Sequence, residues 1–493
     1  MPRAPRLRVA AVALAAGATL LASPTIAGAA APAPASVAES AGTASTSATS
    51  TTITVQPGTV GSGSTQLPSG FVGLSVPPIE LTTNSFAGLA LRPYLKTLGP
   101  TGVIRVGGNS EDTTFWTSTG ETPPSWSAGT VTPALLEPLA AIVKHTGWKI
   151  ILGLNLKEYD PARAADEAKY AKAIFGSSLL AVEIGNEPTF YYSSTSAYFT
   201  AFEAYVSAIE QAAPGVGITG PDPDHNHAAF LDAFAANEAP HPDVLEVTDH
   251  VYPQSICGGT TVTIPQLLST ASEQNELESA QAVVGAAKQD GVPAAVTETN
   301  SVVCAGEPGV SNVFASSLWA LDYDLLLAQN GVVNADYEGG IAGCDAYAPL
   351  CPAPDGVLAA QPVYYGMLAT RLVGTGTFLD VTNPDAANVR AYAVQNGRTL
   401  TVVLDNFQDP SANGPTDVTL DLGGGHYRHA AQTLLQTSSP DGLAAATDIT
   451  LGGHAVSGTG QFPAPDYTPV PVHGDTATVT VQAGSATILK FTD

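Results

Sequence analysis

Basic residues are scarce in this chain: 18 Lys and Arg stand against 44 Asp and Glu among 493 residues, a formal net charge of −26. Such a field repels nucleic acid and anionic membranes, so neither is expected as a partner. It also disfavours a highly sulfated polysaccharide, yet it tolerates a neutral or singly charged sugar because a local pocket overrides a diffuse, screened potential. Charged residues of either sign make up only 13% and apolar residues 44%, which excludes wholesale disorder and leaves material for a sizeable core. No apolar run reaches the roughly 20 residues that cross a bilayer. The stretch from Val9 to Ala22 follows Arg3, Arg6 and Arg8 and precedes Ala27-Gly28-Ala29, the pattern of a secretory signal. Residues 1–29 are therefore read as a signal peptide, and the protein as secreted, extracellular and free of the membrane in its mature form.

Cysteine is also sparse, with four residues, and none shows C-x-x-C spacing or a neighbouring His pair, so no metal site is expected of them. In an exported chain they are expected to form disulfides. Cys344 and Cys351 lie close together in "GCDAYAPLC", and Cys257 and Cys304 each follow a strand-like run, which suggests those two pairings. The "HNH" at 225–227 lacks a third ligand at sensible spacing. "VGGNSED" after the second apolar run is not G-x-G-x-x-G and no Walker A pattern occurs, so a Rossmann-type sheet loses support, and no cofactor is expected.

What is present is an alternation. Residues 30–50, rich in Ala, Ser and Thr, read as a disordered leader. Eight short, nearly continuous apolar runs then recur: "FVGLSVP", "VIRVGGN", "KIILGLN", "LLAVEIGNE", "GVGITGPD", "VLEVTDHVY", "PAAVTETN" and "GVVNADYE". Segments with helical periodicity such as "PALLEPLAAIVKHTG" and "VFASSLWALDYDLLLAQNG" fall between them. Apolar strands alternating with crossover helices over about 300 residues predict an α/β fold, a (β/α)8 TIM barrel, over 67–372. From 373 to 493 the texture turns to short alternating stretches broken by Gly, Asn and Pro, which predicts an appended C-terminal antiparallel β-sandwich, expected to buttress the barrel. Residues 51–66, beginning "TTITVQPG", are expected to lend that sandwich a strand.

In such a barrel, chemistry belongs at the C-terminal ends of the strands. The fourth run ends in Asn186-Glu187 and the seventh in Glu298, which projects two carboxylates into one mouth from opposite sides. Glycoside hydrolysis with retention needs two carboxyl groups roughly 5–5.5 Å apart, one as acid and one as nucleophile. "EIGNEP" and "VTETN" resemble the acid/base and nucleophile motifs of the clan A barrel glycosidases. The ordered set "FVGLSV", "IRVGGNS", "ILGLNL", "AVEIGNEPTFYY", "DHVYP", "TETNSV" and "VYYGML" resembles glycoside hydrolase family 79, the family of β-glucuronidases and heparanase. The resemblance implies Glu187 as acid/base, Glu298 as nucleophile, and Asn186 and Tyr252 as contacts to sugar or nucleophile. Asn109, in "GGNS", is a further candidate substrate contact or a turn stabiliser, and His250 reads more readily as a satisfied buried imidazole. Trp116 and Trp126 are either a sugar wall or a small loop core.

One departure touches specificity. Where glucuronide-cleaving members of the family carry a Tyr and a Gly-rich turn after the nucleophile, this chain has Val303, Cys304 and Ala305, then Gly306 and Glu307. The expectation is a secreted retaining β-glycosidase acting on a carbohydrate, as a monomer, with exo-β-glucuronidase as first reading. A neutral-sugar β-glycosidase, or a catalytically weak carbohydrate-binding protein, is the alternative.

Overall fold

The computed structural model describes residues 49–56, 65–83, 86, 90–224, 227–238, 241–352, 357–386 and 388–493. The segment read as signal peptide, nearly all of the leader, and His225 and Asn226 lie outside the described residues.

After an N-terminal strand β1 (Thr49–Val55) come eight strands: β2 (Val72–Val76), β3 (Val103–Val106), β4 (Lys149–Leu154), β5 (Leu179–Ile184), β6 (Ile218–Pro221), β7 (Val244–Val251), β8 (Ala294–Thr299) and β9 (Val332–Glu338). They pair in parallel in chain order and close where β9 returns to β2, with Ala335 opposite Val72. Each is followed by a helix: α1 (Leu91–Leu98), α2 (Pro133–Thr146), α3 (Pro161–Phe175), α4 (Thr195–Ala212), α5 (Ala228–Glu238), α6 (Thr270–Asp290), α7 (Phe314–Asn330) and α8 (Pro362–Val373). The sequence marks many of these ends. Pro opens α2, α3 and α8, where its missing N–H costs nothing. Asp160 and Ser269 accept hydrogen bonds from the first turns of α3 and α6. Helix α1 carries an apolar stripe of Leu91, Tyr94, Leu95 and Leu98 despite Pro93, whereas in α5 alanines blur the stripe.

The C-terminal domain is two stacked sheets. Strands β10 (Gly376–Phe378), β11 (Val389–Asn396), β12 (Thr399–Asn406), β13 (Thr416–Asp421), β14 (His429–Thr437), β15 (Thr476–Val481) and β16 (Ser485–Thr492) carry most of it. One sheet runs β10-β11-β12-β16-β14; in the other, β13 lies between β1 and β15. Strand β1 pairs in parallel with β13, Thr49 opposite Thr416, so the described start of the chain is tied into this domain.

Strand periodicity explains how the domain holds the barrel. On β12, Val402 and Leu404 face the interior of the sandwich, while Val403 on the opposite face joins the barrel's core together with Val394, Leu435 and Ile488. Helix α7 lies between the two and is buried from Phe314 to Ala328. A polar anchor crosses the same junction. Arg390 on β11 pairs with Asp322 on α7 and, at 3.2 Å, with Glu273 on α6, and the Tyr392 hydroxyl donates to Asp322 at 2.8 Å.

Candidate active site

Two charged residues sit inside otherwise apolar strands, Arg105 on β3 and Glu183 on β5, and both are fully buried. A lone buried charge is too costly to persist, so each must be paired. Arg105 Nη2 lies 2.5 Å and Nε 3.0 Å from Glu183 Oε1. The same guanidinium reaches onward: Nη1 donates to Glu298 Oε2 at 2.6 Å and Nη2 to Asn186 Oδ1 at 2.8 Å. Burial pushes Arg105 toward losing its proton, but Glu183 and Glu298 more than reverse this and hold it well above its usual range.

Glu298 ends β8. Burial alone would raise its carboxyl, yet His250 and Arg105 nearby, with hydrogen bonds from Tyr252 and Arg105, bring it below its ordinary value. The Tyr252 hydroxyl donates to Glu298 Oε1 at 2.8 Å. Burial, and then the charge of Glu298, lift that phenol well above its usual range, so it keeps its proton and remains a donor.

Glu187 follows β5 on a sharp turn. Gly185 has φ 87°, and a Cβ there would sit 2.7 Å from Leu156, so only glycine fits. Glu187 itself is left-handed at φ 44°, its N–H bonded to the Asp222 carbonyl at 3.0 Å. Pro188 then opens a single 3-10 turn. His250 bridges the two carboxylates, Nδ1 standing 3.1 Å from Glu187 Oε1 and 4.0 Å from Glu298 Oε2. An oxygen of Glu187, an oxygen of Glu298 and a His250 ring nitrogen all lie within 4.8 Å of one another. Burial and the Arg105 contact at 3.2 Å from Nε2 work against a charge on His250, but Glu298 and Glu187 outweigh them and its pKa rises to about 9.

Asn186 is locked by Arg105 on one side and makes a long 3.4 Å contact with Asn109, which is exposed at the rim. Residues that pattern reading passed over complete the cluster. Asp222 Oδ1 stands 3.7 Å from His250 Nε2. Glu338, at the end of β9, is driven well above the carboxylate range by burial and by the charge of Glu298. Two carboxylate sets with His250, Glu183 with Asp222 and Glu187 with Glu298, have the spacing of cation ligands. Arg105 already supplies positive charge to both, in contact with Glu183 and Glu298.

The loop after β8 holds the other predicted residues. Cys304, Ala305 and Gly306 are successively left-handed, at φ 73°, 70° and 80°. Non-glycine residues there store about 1–3 kcal/mol of strain each and need support. Cys304 is bonded to Cys257, and a Cβ on Gly306 would lie 2.7 Å from the Tyr347 nitrogen, so the turn is pressed against Tyr347. The Ala346 N–H donates to the Ala305 carbonyl at 3.0 Å, which fixes the segment carrying Tyr347 against this turn. Tyr347 is thus brought to this turn by the loop that follows β9. The second disulfide, Cys344–Cys351, closes that same loop. Trp116 is buried and donates to Asp166 at 2.9 Å, and Trp126 packs edge-on against Phe115. Both line a cavity of about 430 Å³ beside Arg163 and Glu167. His227, the described residue of the HNH sequence, is exposed and pairs with Asp224 at 2.8 Å.

Comparison with known proteins agrees with this architecture. Residues 391–488 match the C-terminal beta domain of glycosyl hydrolase family 79. A β-glucuronidase of Aspergillus niger is 28% identical over 180 residues, 33% of this chain and 33% of that protein, so the match spans a third of its relative's length. A 4-O-α-L-rhamnosyl-β-D-glucuronidase from Fusarium oxysporum 12S superposes with a TM-score of 0.72 at 19% identity, over 89% of this chain and 100% of that one. A GH51 arabinofuranosidase from Xanthomonas axonopodis pv. citri gives 0.66 at 14%, over 89% and 99%. Identities this low speak to the fold, a barrel carrying a β domain. No helix among the described residues is long and apolar enough to cross a membrane.

Proposed function

We propose that this chain, which belongs to glycoside hydrolase family 79, is a secreted retaining β-glycosidase that removes a terminal β-glucuronyl unit by double displacement. The observation that carries the reading is the meeting of Glu187 and Glu298, with carboxylate oxygens within 4.8 Å of one another. That approach supports a nucleophile and an acid on either side of one anomeric carbon, and favours retention over inversion, which uses a wider gap to admit a water. The surroundings divide the roles. Glu298 has Arg105 and Tyr252 bonded to its two oxygens, which favours the ionised form a nucleophile needs. Glu187 then protonates the glycosidic oxygen while Glu298 attacks the anomeric carbon, giving a glycosyl ester and a free alcohol. In the second half Glu187 takes a proton from water, the resulting hydroxyl attacks the anomeric carbon, and Glu298 leaves as carboxylate.

Uronate preference is supported by the turn at Cys304 to Gly306. Its backbone N–H groups lie in a tight turn, a conformation in which neighbouring amides can converge on an anion, and the disulfide to Cys257 keeps it formed. Tyr347 packs against it, in a chain that has no tyrosine directly after the proposed nucleophile. Glu307, which would oppose a uronate, is turned to accept the Val262 N–H at 3.2 Å. Export is supported by residues 1–29 and by two disulfides, which persist in oxidising compartments.

Azide rescue tests the roles. With an activated aryl β-glucuronide, Glu187→Ala should yield the β-azide and Glu298→Ala the α-azide, each variant losing orders of magnitude in unassisted turnover. Full activity in either variant removes the assignment. A matched panel of aryl glucuronide, glucoside, galactoside, xyloside and arabinoside tests the sugar, and preference for a neutral glycoside would leave the mechanism and discard the uronate.

A further inference from the structure

Glu80 is a buried carboxylate outside the catalytic cluster, on the short helical turn Ile79–Thr82 that follows β2. A buried charge must be met by donors, and here the backbone supplies them. The Ile341 N–H lies 2.9 Å from Oε1 and 3.1 Å from Oε2, and the Ala342 N–H donates to Oε1 at 2.9 Å. The chain after β9 is shaped to wrap this group: Gly340 is left-handed at φ 63°, and a Cβ on it would stand 2.5 Å from Glu80 Oε1. Consecutive amides turned onto one carboxylate form an anion nest, filled here by the protein's own side chain. The clasp crosses the seam where the barrel closes, because it joins the loop after the first barrel strand to the loop after the last. From the clasp the chain runs to the catalytic cluster. Asn300 Nδ2, just past β8, donates to the Glu338 carbonyl at 2.7 Å and the Tyr347 carbonyl at 2.9 Å, on either side of the clasped amides. The Tyr347 ring lies 6.5 Å from that of Tyr252, whose hydroxyl donates to Glu298.

We propose that Glu80 is a positioning residue for sugar binding: its carboxylate sets the course of residues 339–352 and thereby holds Tyr347 against Tyr252 and the turn after β8, acting through the loop and not on the substrate. This rests on the reading of the chain as a glycosidase. Without the carboxylate the N–H groups of Ile341, which is buried, and Ala342 lose their acceptor, so the loop must shift to hydrate them and carries Tyr347 with it. A wall of the site that meets the sugar alike before and during bond cleavage contributes uniform binding, so its displacement is read in KM and not in kcat.

The test uses the full chain with the aryl β-glycoside it cleaves best, and amide hydrogen exchange across residues 339–350 as a measurement that needs no substrate. Glu80→Ala should speed exchange at Ile341 and Ala342 and raise KM about tenfold while kcat stays within about twofold. Gly340→Ala crowds the clasp from the opposite side and should give the same KM signature from an independent position. Glu80→Gln, whose carbonyl takes the place of Oε1, should keep KM within about threefold of wild type. Added acetate should enter the vacated nest of Glu80→Ala and lower its KM toward the wild-type value, leaving the wild type unchanged. Unchanged exchange in Glu80→Ala would overturn the clasp. Faster exchange with KM within about twofold of wild type in both Ala variants, or a fall in kcat at constant KM, would overturn the positioning role alone. A wild type that cleaves no aryl glycoside would remove the glycosidase reading and the positioning role with it, whatever the exchange shows.

Discussion

Replacing Tyr252 by Phe removes one oxygen and nothing else, and the oxygen removed is the donor 2.8 Å from Glu298 Oε1. A hydrogen bond to a charged group contributes about 1.5–3 kcal/mol, equivalent to roughly 1–2 units in the pKa of the carboxylate that accepts it. Glu298 is held below its ordinary value despite burial, so losing Tyr252 should move its ionisation up by that amount. The acid limb of kcat/KM, which follows the nucleophile in the free enzyme, should shift to higher pH by the same 1–2 units. Stability should follow. A carboxyl depressed in the folded state contributes stability above its unfolded pKa and loses it as pH falls through the folded one, so the variant should be less stable at pH 7 by roughly 1.5–3 kcal/mol. The pH–rate profile and a urea midpoint at pH 7 measure the two. An acid limb that stays in place while the rate falls at every pH would refute the link between Tyr252 and the ionisation of Glu298.

Buried carboxyls make the protein alkali-sensitive. Glu246 and Asp324 are raised by burial to about 7, and Asp249 and Glu276, for the same first reason, to about 8. Groups raised on folding stabilise at low pH and lose that contribution as pH rises from the unfolded value to the folded one, so stability should fall from about pH 4 to about pH 8; one group at about 8 accounts for about 2.7 kcal/mol between about pH 6 and pH 8, and a flat urea midpoint over the range would contradict it. Replacing Cys257 and Cys304 together by Ser opens a loop of 47 residues, which removes about 4 kcal/mol in the chain-entropy account. It should also raise KM for a glucuronide more than for a glucoside in steady-state kinetics, and an equal rise for both would separate the turn from uronate binding. Deleting residues 375 to 493 would uncover α7 and the barrel surface that meets Val394, Val403, Leu435, Ile449, Leu451 and Ile488. Six such side chains contribute roughly 9–18 kcal/mol of burial, as much as a whole domain's net stability, so the truncated barrel should be insoluble; a soluble, active barrel would make the sandwich a separable module.

The barrel was legible because parallel strands buried on both faces must be apolar from end to end, and each of the eight runs became a strand. The sequence also marked where those runs stop, which is why Glu187 and Glu298 stood out. Arg105 was harder to see. Inside "VIRV" it reads as an interruption, and its meaning depends on Glu183, 78 residues away, which only the closed barrel brings within 2.5 Å. A charge inside a fully apolar run was the available signal, since such a charge needs a partner. His250 looked like a structural imidazole and is indeed fully buried, but its neighbours on two other strands make it the bridge between the carboxylates. Tyr347 could not be inferred from spacing, because it approaches the turn after Glu298 by way of a different loop. Helix α5 was harder to read, because its alanines leave a weak apolar stripe and its stability as a helix comes from tertiary packing.

The central claim is that Glu298 becomes covalently bonded to sugar while Glu187 manages the proton. The most direct measurement incubates the enzyme with a 2-deoxy-2-fluoro-β-glucuronyl fluoride, digests it and maps the adduct by mass spectrometry. The account predicts one fluoroglucuronyl ester, on Glu298 in the sequence Thr297-Glu298-Thr299. An ester on Glu187 or Glu338, or hydrolysis of the ordinary substrate with inversion by NMR and no adduct, would contradict it.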